Sequence, residues 1–343
     1  MKQSETLDDL GRGLRNLRIS VTDRCNLRCS YCMPEKDYVW MPHKDILKYG
    51  QFTELVRAFV GLGVDRVRLT GGEPLLRKDL YRLVEQLSGI DGLRDISLTT
   101  NGVLLFEHAQ ALRAAGLHRV TISLDTLQAE RFRAFTGRDH LARILEGIEH
   151  AASAGFACIK INTVVMKGKN DDELDDLLAY GKQVGAEVRF IEYMDVGGAT
   201  NWAESLVFSR EEMLDRLARR GEVRTLPKRG AAPADRFMRD DGVTFGIISS
   251  TTEPFCGSCD RSRITADGMW YLCLYAREAA LDFRSPLRAY ASQEELREMI
   301  VTAWRSRQDR GAEERLALTA RGPLAGVGEL RDHPNLEMHR RGG

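Results

Sequence analysis

Cys25-Asn26-Leu27-Arg28-Cys29-Ser30-Tyr31-Cys32 sets three thiols on one short loop, directly behind the β-prone run Leu17-Arg18-Ile19-Ser20-Val21. Three soft ligands at the end of a strand point to a metal site. A 4Fe–4S cluster normally takes four thiolates, so a loop that offers three leaves one iron open to another ligand. A second group, Cys256-Gly257-Ser258-Cys259 with Cys273 further on, repeats the pattern, and on spacing alone it keeps a zinc site open as an alternative. Inert buried thiols explain three cysteines among Asp, Arg and Asn poorly.

The Cys-x-x-x-Cys-x-x-Cys spacing, the aromatic Tyr31 before its last cysteine, and Thr70-Gly71-Gly72-Glu73-Pro74 one β-α unit later together resemble the radical S-adenosylmethionine (SAM) superfamily. The resemblance implies that the amine and carboxylate of SAM fill the open iron.

Composition narrows the class. With 343 residues, 43% of them hydrophobic, the chain permits one large domain or two ordinary ones around a sizeable core. Lys plus Arg and Asp plus Glu both number 50, so the overall field suggests neither nucleic acid nor membrane as a partner, and an anionic ligand must be held by local cations. The start, Met1-Lys2-Gln3-Ser4-Glu5, carries no apolar segment, and no stretch is long enough to span a bilayer, so the expected location is cytoplasmic. Seven cysteines, six of them in two ligand-like groups, argue against a disulfide framework. Cys158, in the run Ala157 to Ile161, is read as a buried structural thiol.

β-branched runs alternate with helical patterns from Arg18 to Met194, which predicts repeated β-α units and a parallel sheet: α/β, a partial (β/α)6 TIM-like barrel. The six predicted strands are Leu17 to Val21, Asp65 to Thr70, Asp95 to Thr100, Arg119 to Leu124, Cys158 to Val165 and Val188 to Tyr193. Asn170-Asp171-Asp172-Glu173 reads as the cap and acidic first turn of a scaffold helix. In such barrels the site lies at the C-terminal strand ends, where the cysteine loop, the Gly-Gly-Glu-Pro segment, Thr99-Thr100-Asn101-Gly102, Ser123-Leu124-Asp125 and Glu192-Tyr193-Met194 all fall. Lys160 and Asn162 sit among apolar neighbours on the fifth strand. The expected division is 10–225 for the barrel and 226–343 for a smaller C-terminal region. Antiparallel hairpins built from Val243 to Ile248, Ser262 to Ala266 and Met269 to Leu274 would close the open side of the barrel.

Arg261-Ser262-Arg263 follows the second cysteine pair, and strand alternation puts both guanidiniums on one face, a fork suited to phosphate. Two three-cysteine groups, these arginines and the terminal Gly342-Gly343 resemble the GTP 3′,8-cyclase family of molybdenum cofactor biosynthesis over nearly the whole length. The resemblance implies two 4Fe–4S clusters: one on Cys25, Cys29 and Cys32 that binds SAM, with Tyr31, Gly72, Ser123 and Met194 around that cofactor, and one on Cys256, Cys259 and Cys273 that meets the guanine. GTP would lie against Arg18, Arg68, Thr99 and Lys160 and the segment Arg261, Ser262 and Arg263. Thr100 is the alternative to Thr99, and Arg66 and Arg189 are further phosphate candidates.

The chemistry so implied is 5′-deoxyadenosyl-radical abstraction of the C3′ hydrogen of GTP and addition to C8, giving (8S)-3′,8-cyclo-7,8-dihydroguanosine 5′-triphosphate, with no side-chain acid or base as catalyst. A low-potential flavodoxin or ferredoxin donor is implied, and the product would pass to cyclic pyranopterin monophosphate synthase, from a monomer or homodimer. The rival readings are another two-cluster radical SAM enzyme that modifies a peptide or matures a sulfatase, and a non-catalytic iron–sulfur carrier or redox sensor. The tail Arg340-Arg341-Gly342-Gly343 is expected to thread into a crowded cavity, with its carboxylate against Arg18 or Arg263.

Overall fold

The computed structural model describes residues 6–35 and 37–342. Among these, twelve strands form one continuous sheet. In chain order they are β1 (Asn16–Ser20), β2 (Arg66–Thr70), β3 (Asp95–Thr100), β4 (Arg119–Ser123), β5 (Cys158–Val165), β6 (Glu187–Glu192), β7 (Val223–Leu226), β8 (Asp235–Arg239), β9 (Thr244–Ile248), β10 (Arg261–Ile264), β11 (Met269–Tyr271) and β12 (Leu281–Asp282). In space they run β12-β11-β10-β1-β2-β3-β4-β5-β6-β9-β8-β7. The six strands expected from the sequence are β1 to β6, parallel and in sequential order, each at or within a residue or two of its predicted limits.

The C-terminal strands do more than close the barrel. β10 adds to β1 in parallel and β9 adds to β6 in parallel, so the later part of the chain extends the sheet at both edges at once. Each addition then folds back into antiparallel strands, β10-β11-β12 on one side and β9-β8-β7 on the other. Side chains from β10 and from β1 to β6 line one cavity, so the sheet curves around it as a partial barrel.

Strand alternation separates two faces. Leu17, Ile19, Val67, Leu69, Ile96, Leu98, Val120, Ile122, Ile161, Val188 and Phe190 belong to one buried core. Helices cover it; the one at Tyr49–Val60 buries Phe52, Leu55, Val56 and Phe59, and the one at Gln293–Arg305 packs on it, opened by a Ser292/Glu295 capping box. No helix among the described residues is long and apolar enough to cross a membrane.

Asn170 and Glu173 depart from the expected capping role. Glu173 precedes the helix Leu174–Gln183 without a side-chain cap, because its carboxylate instead accepts from Thr126 Oγ1 at 2.6 Å and Leu127 N at 2.8 Å. The Asn170 amide donates to the carbonyls of Asp125 at 2.8 Å and Val164 at 2.9 Å. Both residues therefore brace the loop that follows β4, and burial makes those bonds worth more than an exposed cap. Cys158, expected to be buried, is half-buried at the start of β5, where its register partner is Arg119.

Leu98 is fully buried at the centre of the sheet, so Leu98→Ala is expected to cost about 2–5 kcal/mol, read as a lowered midpoint in denaturant unfolding of the ligand-free protein.

Candidate functional site

The face of the sheet opposite the apolar core is polar. Register aligns Arg263, Arg18 and Arg68 across β10, β1 and β2, and aligns Thr99, Thr121 and Lys160 across β3, β4 and β5. All six line a cavity of about 450 Å³ that also takes in Cys25, Cys29 and Cys32 together with Cys256, Cys259 and Cys273. One chamber thus joins both cysteine groups, a size and character ordinary for a small-molecule site.

The first cysteine loop is held by close backbone approaches. Gly72 N donates to Thr22 O at 2.9 Å and Glu73 N to Arg24 O at 2.7 Å; a Cβ on Gly72 would meet Arg24 O at 2.4 Å, so the loop closes against β2 only over a glycine. On the other side Gly198 presses on the Cys32 carbonyl, where a Cβ would sit 1.8 Å away. Glu73 is fully buried and accepts from Thr100 Oγ1 and Asn101 N, both at 2.7 Å, and from Leu75 N at 3.0 Å; burial pushes its carboxyl up to about 7. Tyr31 OH donates to Asp125 Oδ2 at 2.7 Å, which ties the loop to the end of β4, and burial raises Asp125 to about 6. All seven cysteines are free thiols. Burial pushes Cys25 up to about 11 and raises Cys29 and Cys32 as well, so a metal taken up there must displace protons. Among the described residues no three His, Cys, Asp or Glu side chains converge as they would on a single ion.

Four cations face the chamber without carboxylates. Burial, then repulsion from neighbouring arginines, lowers Arg68 to about 9, Arg263 to about 10 and Lys160 to about 8, and lowers Arg18 well below the usual arginine range. Among the described residues none of the four has a carboxylate in ion-pair distance. Arg68 leans instead on two hydroxyls, donating to Thr99 Oγ1 at 2.9 Å and Thr121 Oγ1 at 3.1 Å. The flanking arginines are different: Arg66 pairs with Asp65 at 3.1 Å, Arg189 with Glu187 at 2.9 Å and Arg119 with Asp95. Charge held out of water without a partner is costly, so these four positions oppose the stability of the ligand-free chain.

The second cysteine group sits across the chamber. Arg261 Nη2 donates to Cys259 Sγ at 3.5 Å with its guanidinium stacked 4.6 Å from the Phe255 ring centroid. The C-terminal tail enters here. Arg263 Nη1 donates to the carbonyls of Arg341, at 3.3 Å, and Gly342. Gly342 adopts φ +77° with Thr70 and Ser20 against it, where a Cβ would lie 2.3 Å from Thr70 Cγ2. Arg341 is buried, donating to Asn335 O at 2.7 Å and Leu274 O at 2.8 Å and lying over the Tyr271 ring. The expected pairing of the terminal carboxylate concerns Gly343, which lies outside the described residues.

The sequence candidates sort plainly. Tyr31, Gly72, Ser123 and Met194 line the same chamber as Arg18, Arg68, Thr99, Lys160, Arg261 and Arg263. Thr99 has its hydroxyl on Arg68, whereas Thr100 commits its own to Glu73. Ser262 is the exception. Its register partner is Leu17, so the same alternation that aims Arg261 and Arg263 inward turns Ser262 to the opposite, buried face, and it does not line the chamber. Asn162, noted with Lys160 on the fifth strand, lines the chamber as well, and so do Asn16, Met338 and His339, which were not singled out. Asn16 and Asn162 sit at the alternate positions of strands already identified, a signal available in the sequence, while Met338 and His339 depend on the path of the tail.

Residues 19–181 match the Radical SAM superfamily and residues 186–313 match Molybdenum Cofactor Synthesis C. A relative from Mycobacterium tuberculosis named GTP 3′,8-cyclase 1 is 52% identical over 341 residues, covering 98% of this chain and 95% of its own length. A GTP 3′,8-cyclase from Staphylococcus haemolyticus is 41% identical over 321 residues, covering 92% of this chain and 94% of the relative. Among solved structures, Streptococcus suis SuiB bound to S-adenosylmethionine superposes with a TM-score of 0.59 at 15% identity, over 89% of this chain and 69% of that one. SuiB bound to precursor peptide SuiA gives 0.60 at 15% identity, over 90% and 68%. These two speak to fold alone.

Because burial and the neighbouring Arg18, Arg119 and Arg189 all work against the charge on Arg68, Arg68→Met is expected to stabilise the ligand-free protein by about 1–2 kcal/mol. It should also shrink the stabilisation given by inorganic triphosphate. Thermal unfolding with and without that anion reads both effects.

Proposed function

The chain belongs to the GTP 3′,8-cyclase family of radical SAM enzymes, and from that premise we propose how its own residues carry the first step of molybdenum cofactor biosynthesis. The observation that carries the assignment of roles is that Arg18, Arg68, Lys160 and Arg263, none with a carboxylate in ion-pair distance among the described residues, line the same chamber as both cysteine trios.

Cys25, Cys29 and Cys32 would hold a 4Fe–4S cluster with SAM on its open iron, and Cys256, Cys259 and Cys273 a second cluster facing the guanine. Three free thiols on each loop, both trios on the chamber wall, suit a cubane that keeps one iron open. When bound, the first cluster with SAM supplies a 5′-deoxyadenosyl radical that takes the C3′ hydrogen of GTP, after which C3′ joins C8 and an electron and a proton complete (8S)-3′,8-cyclo-7,8-dihydroguanosine 5′-triphosphate.

The protein's part is orientation and exclusion of water. Gly71 and Gly72 let the chain at Thr22 to Arg24 close against them and so set the first loop, and Gly72, Tyr31, Ser123 and Met194 would lie around SAM. Arg18, Arg68, Lys160 and Arg263 take the triphosphate, Thr99 keeps Arg68 aimed, and Arg261 works next to the second cluster. Arg66 and Arg189, already paired with carboxylates, act as supports. Gly342 holds Arg263 from behind through its carbonyl, so the tail orders a phosphate ligand without touching substrate through a side chain.

The barrel of 10–225 would carry SAM and the region 226–343 the nucleotide base. A low-potential flavodoxin or ferredoxin would reduce the enzyme, a monomer or homodimer in the cytoplasm, and cyclic pyranopterin monophosphate synthase would take the product. A peptide substrate, the rival reading, would leave the four cations without counter-charge. An electron carrier would need no chamber between the trios.

Anaerobic reconstitution is expected to give about eight irons per chain, halved when either cysteine trio is changed to alanine, and mass spectrometry after addition of GTP and SAM should show 5′-deoxyadenosine and a cyclised, unhydrolysed triphosphate. Arg263→Ala should retain iron and SAM cleavage but weaken GTP by about 10–100-fold, the cost of losing charge-assisted hydrogen bonds of about 1.5–3 kcal/mol, as measured by equilibrium binding. Truncation after Arg341 should leave iron content and SAM binding intact and abolish cyclisation, with partial rescue by an added peptide ending in Gly-Gly; full turnover by the truncated protein would remove the tail from the site.

A further inference from the structure

We propose that Arg307 is a positioning residue that raises the reduction potential of the second cluster through the sulfur of Cys259, an inference that rests on the two-cluster reading above. Arg307 is only 2% exposed and lies behind the second cysteine loop, outside the chamber. Its Nη1 donates to Cys259 O at 2.9 Å, and its Nη2 reaches Cys259 Sγ at 3.7 Å. Arg261 reaches the same sulfur from the chamber side at 3.5 Å. Cys259 Sγ is therefore gripped between two guanidiniums.

The other sulfurs are treated differently. Cys25 Sγ accepts from the neutral Asn101 amide at 3.9 Å and Cys273 Sγ from the Tyr275 backbone N at 3.4 Å. Among the described residues no guanidinium donates to a sulfur of either cysteine trio except at Cys259. Near the first trio Arg28 is spent on carbonyls, those of Cys25 at 3.0 Å and Leu27 at 2.8 Å.

Arg307 is held in that pose rather than resting there. Its Nε donates to Asp309 Oδ2 at 3.1 Å, its Nη1 lies 3.7 Å from Asp8 Oδ2, and its guanidinium sits 4.6 Å from the Trp304 ring centroid. Asp8 is fixed in turn by Arg12 Nε at 2.6 Å, and Arg12 Nη1 donates to Cys256 O at 3.1 Å and Asp309 O at 2.8 Å. The N-terminal segment thereby locks two cysteine carbonyls and the arginine behind them into one unit.

The consequence is electrostatic. A positively charged donor on a ligating sulfur draws charge from the thiolate and favours the state with the extra electron, so it moves a cluster's potential upward. Placed on one cluster and not the other, it makes the second cluster easier to reduce than its own cysteines alone would make it. The first cluster, which must deliver a strongly reducing electron to SAM, is spared that effect.

The test is a dithionite-poised redox titration of the reconstituted full-length holoprotein, followed by electron paramagnetic resonance. Each cluster's signal is assigned by its loss in the variant that lacks the corresponding cysteine trio. Arg307→Gln is expected to shift the second cluster's midpoint to lower potential and leave the first unmoved. Arg307→Lys, which keeps the charge but loses the fork, should shift it the same way by less, and it decides the matter if the Gln variant does not take up iron. A full complement of iron with an unmoved second midpoint overturns this inference alone. Absence of a second cluster signal from the unsubstituted protein overturns the two-cluster reading and this inference with it.

Discussion

A row of cations on one face of the sheet, without a carboxylate in ion-pair distance among the described residues, is the constraint around which this molecule is arranged. Arg18, Arg68, Lys160 and Arg263 come from β1, β2, β5 and β10, and burial with repulsion from neighbouring arginines works against each of them. Nothing in the local sequence compels such an arrangement. It persists because the opposite face of the same strands is an uninterrupted apolar core from Leu17 to Phe190, and the free energy of that core offsets the strain at the site. Stability and function are thus divided between the two faces of one sheet, with the pleat as the divider.

The neighbouring carboxylates show how selective the arrangement is. Asp65, Asp95 and Glu187 neutralise the arginines at the rim of the cation row, Arg66, Arg119 and Arg189, and stop short of its centre. A surface that avoided repulsion everywhere would have placed acids inward as well. Leaving the centre unpaired keeps a positive field in the chamber, where low dielectric makes it strongest.

Much of this was legible in the residues. β-branched runs at period two marked β1 to β6, and the cysteine spacing with Gly71-Gly72-Glu73-Pro74 marked the first loop, because both signals are local. Strand alternation also settles Arg261 and Arg263 as inward-facing, and applied one residue further it turns Ser262 away. What stayed hidden was long-range. Nothing near Asn170 or Glu173 shows that their side chains are claimed by the loop after β4, and an acidic helix start reads as a cap wherever tertiary partners are unknown. Nor does any local pattern show that β9 and β10 leave the C-terminal region to join opposite edges of the sheet, since register between distant strands is written in packing. Arg12 and Arg307 read as ordinary charges until Cys256 and Cys259 are placed beside them.

That same pairing of β1 with β10 bears on how the protein is made. The Asn16 side chain bonds Asp260 at 2.5 Å across a separation of 244 residues, so the strand that leads into the first cysteine loop has one of its two neighbours only when most of the chain has left the ribosome. Non-local pairings of this kind are late and slow events in folding. The first thiols are therefore synthesised early and enclosed late, which leaves an interval in which Cys25, Cys29 and Cys32 are open to solution and to oxidation. Enclosure of the first cysteine loop is bound by topology to completion of the polypeptide.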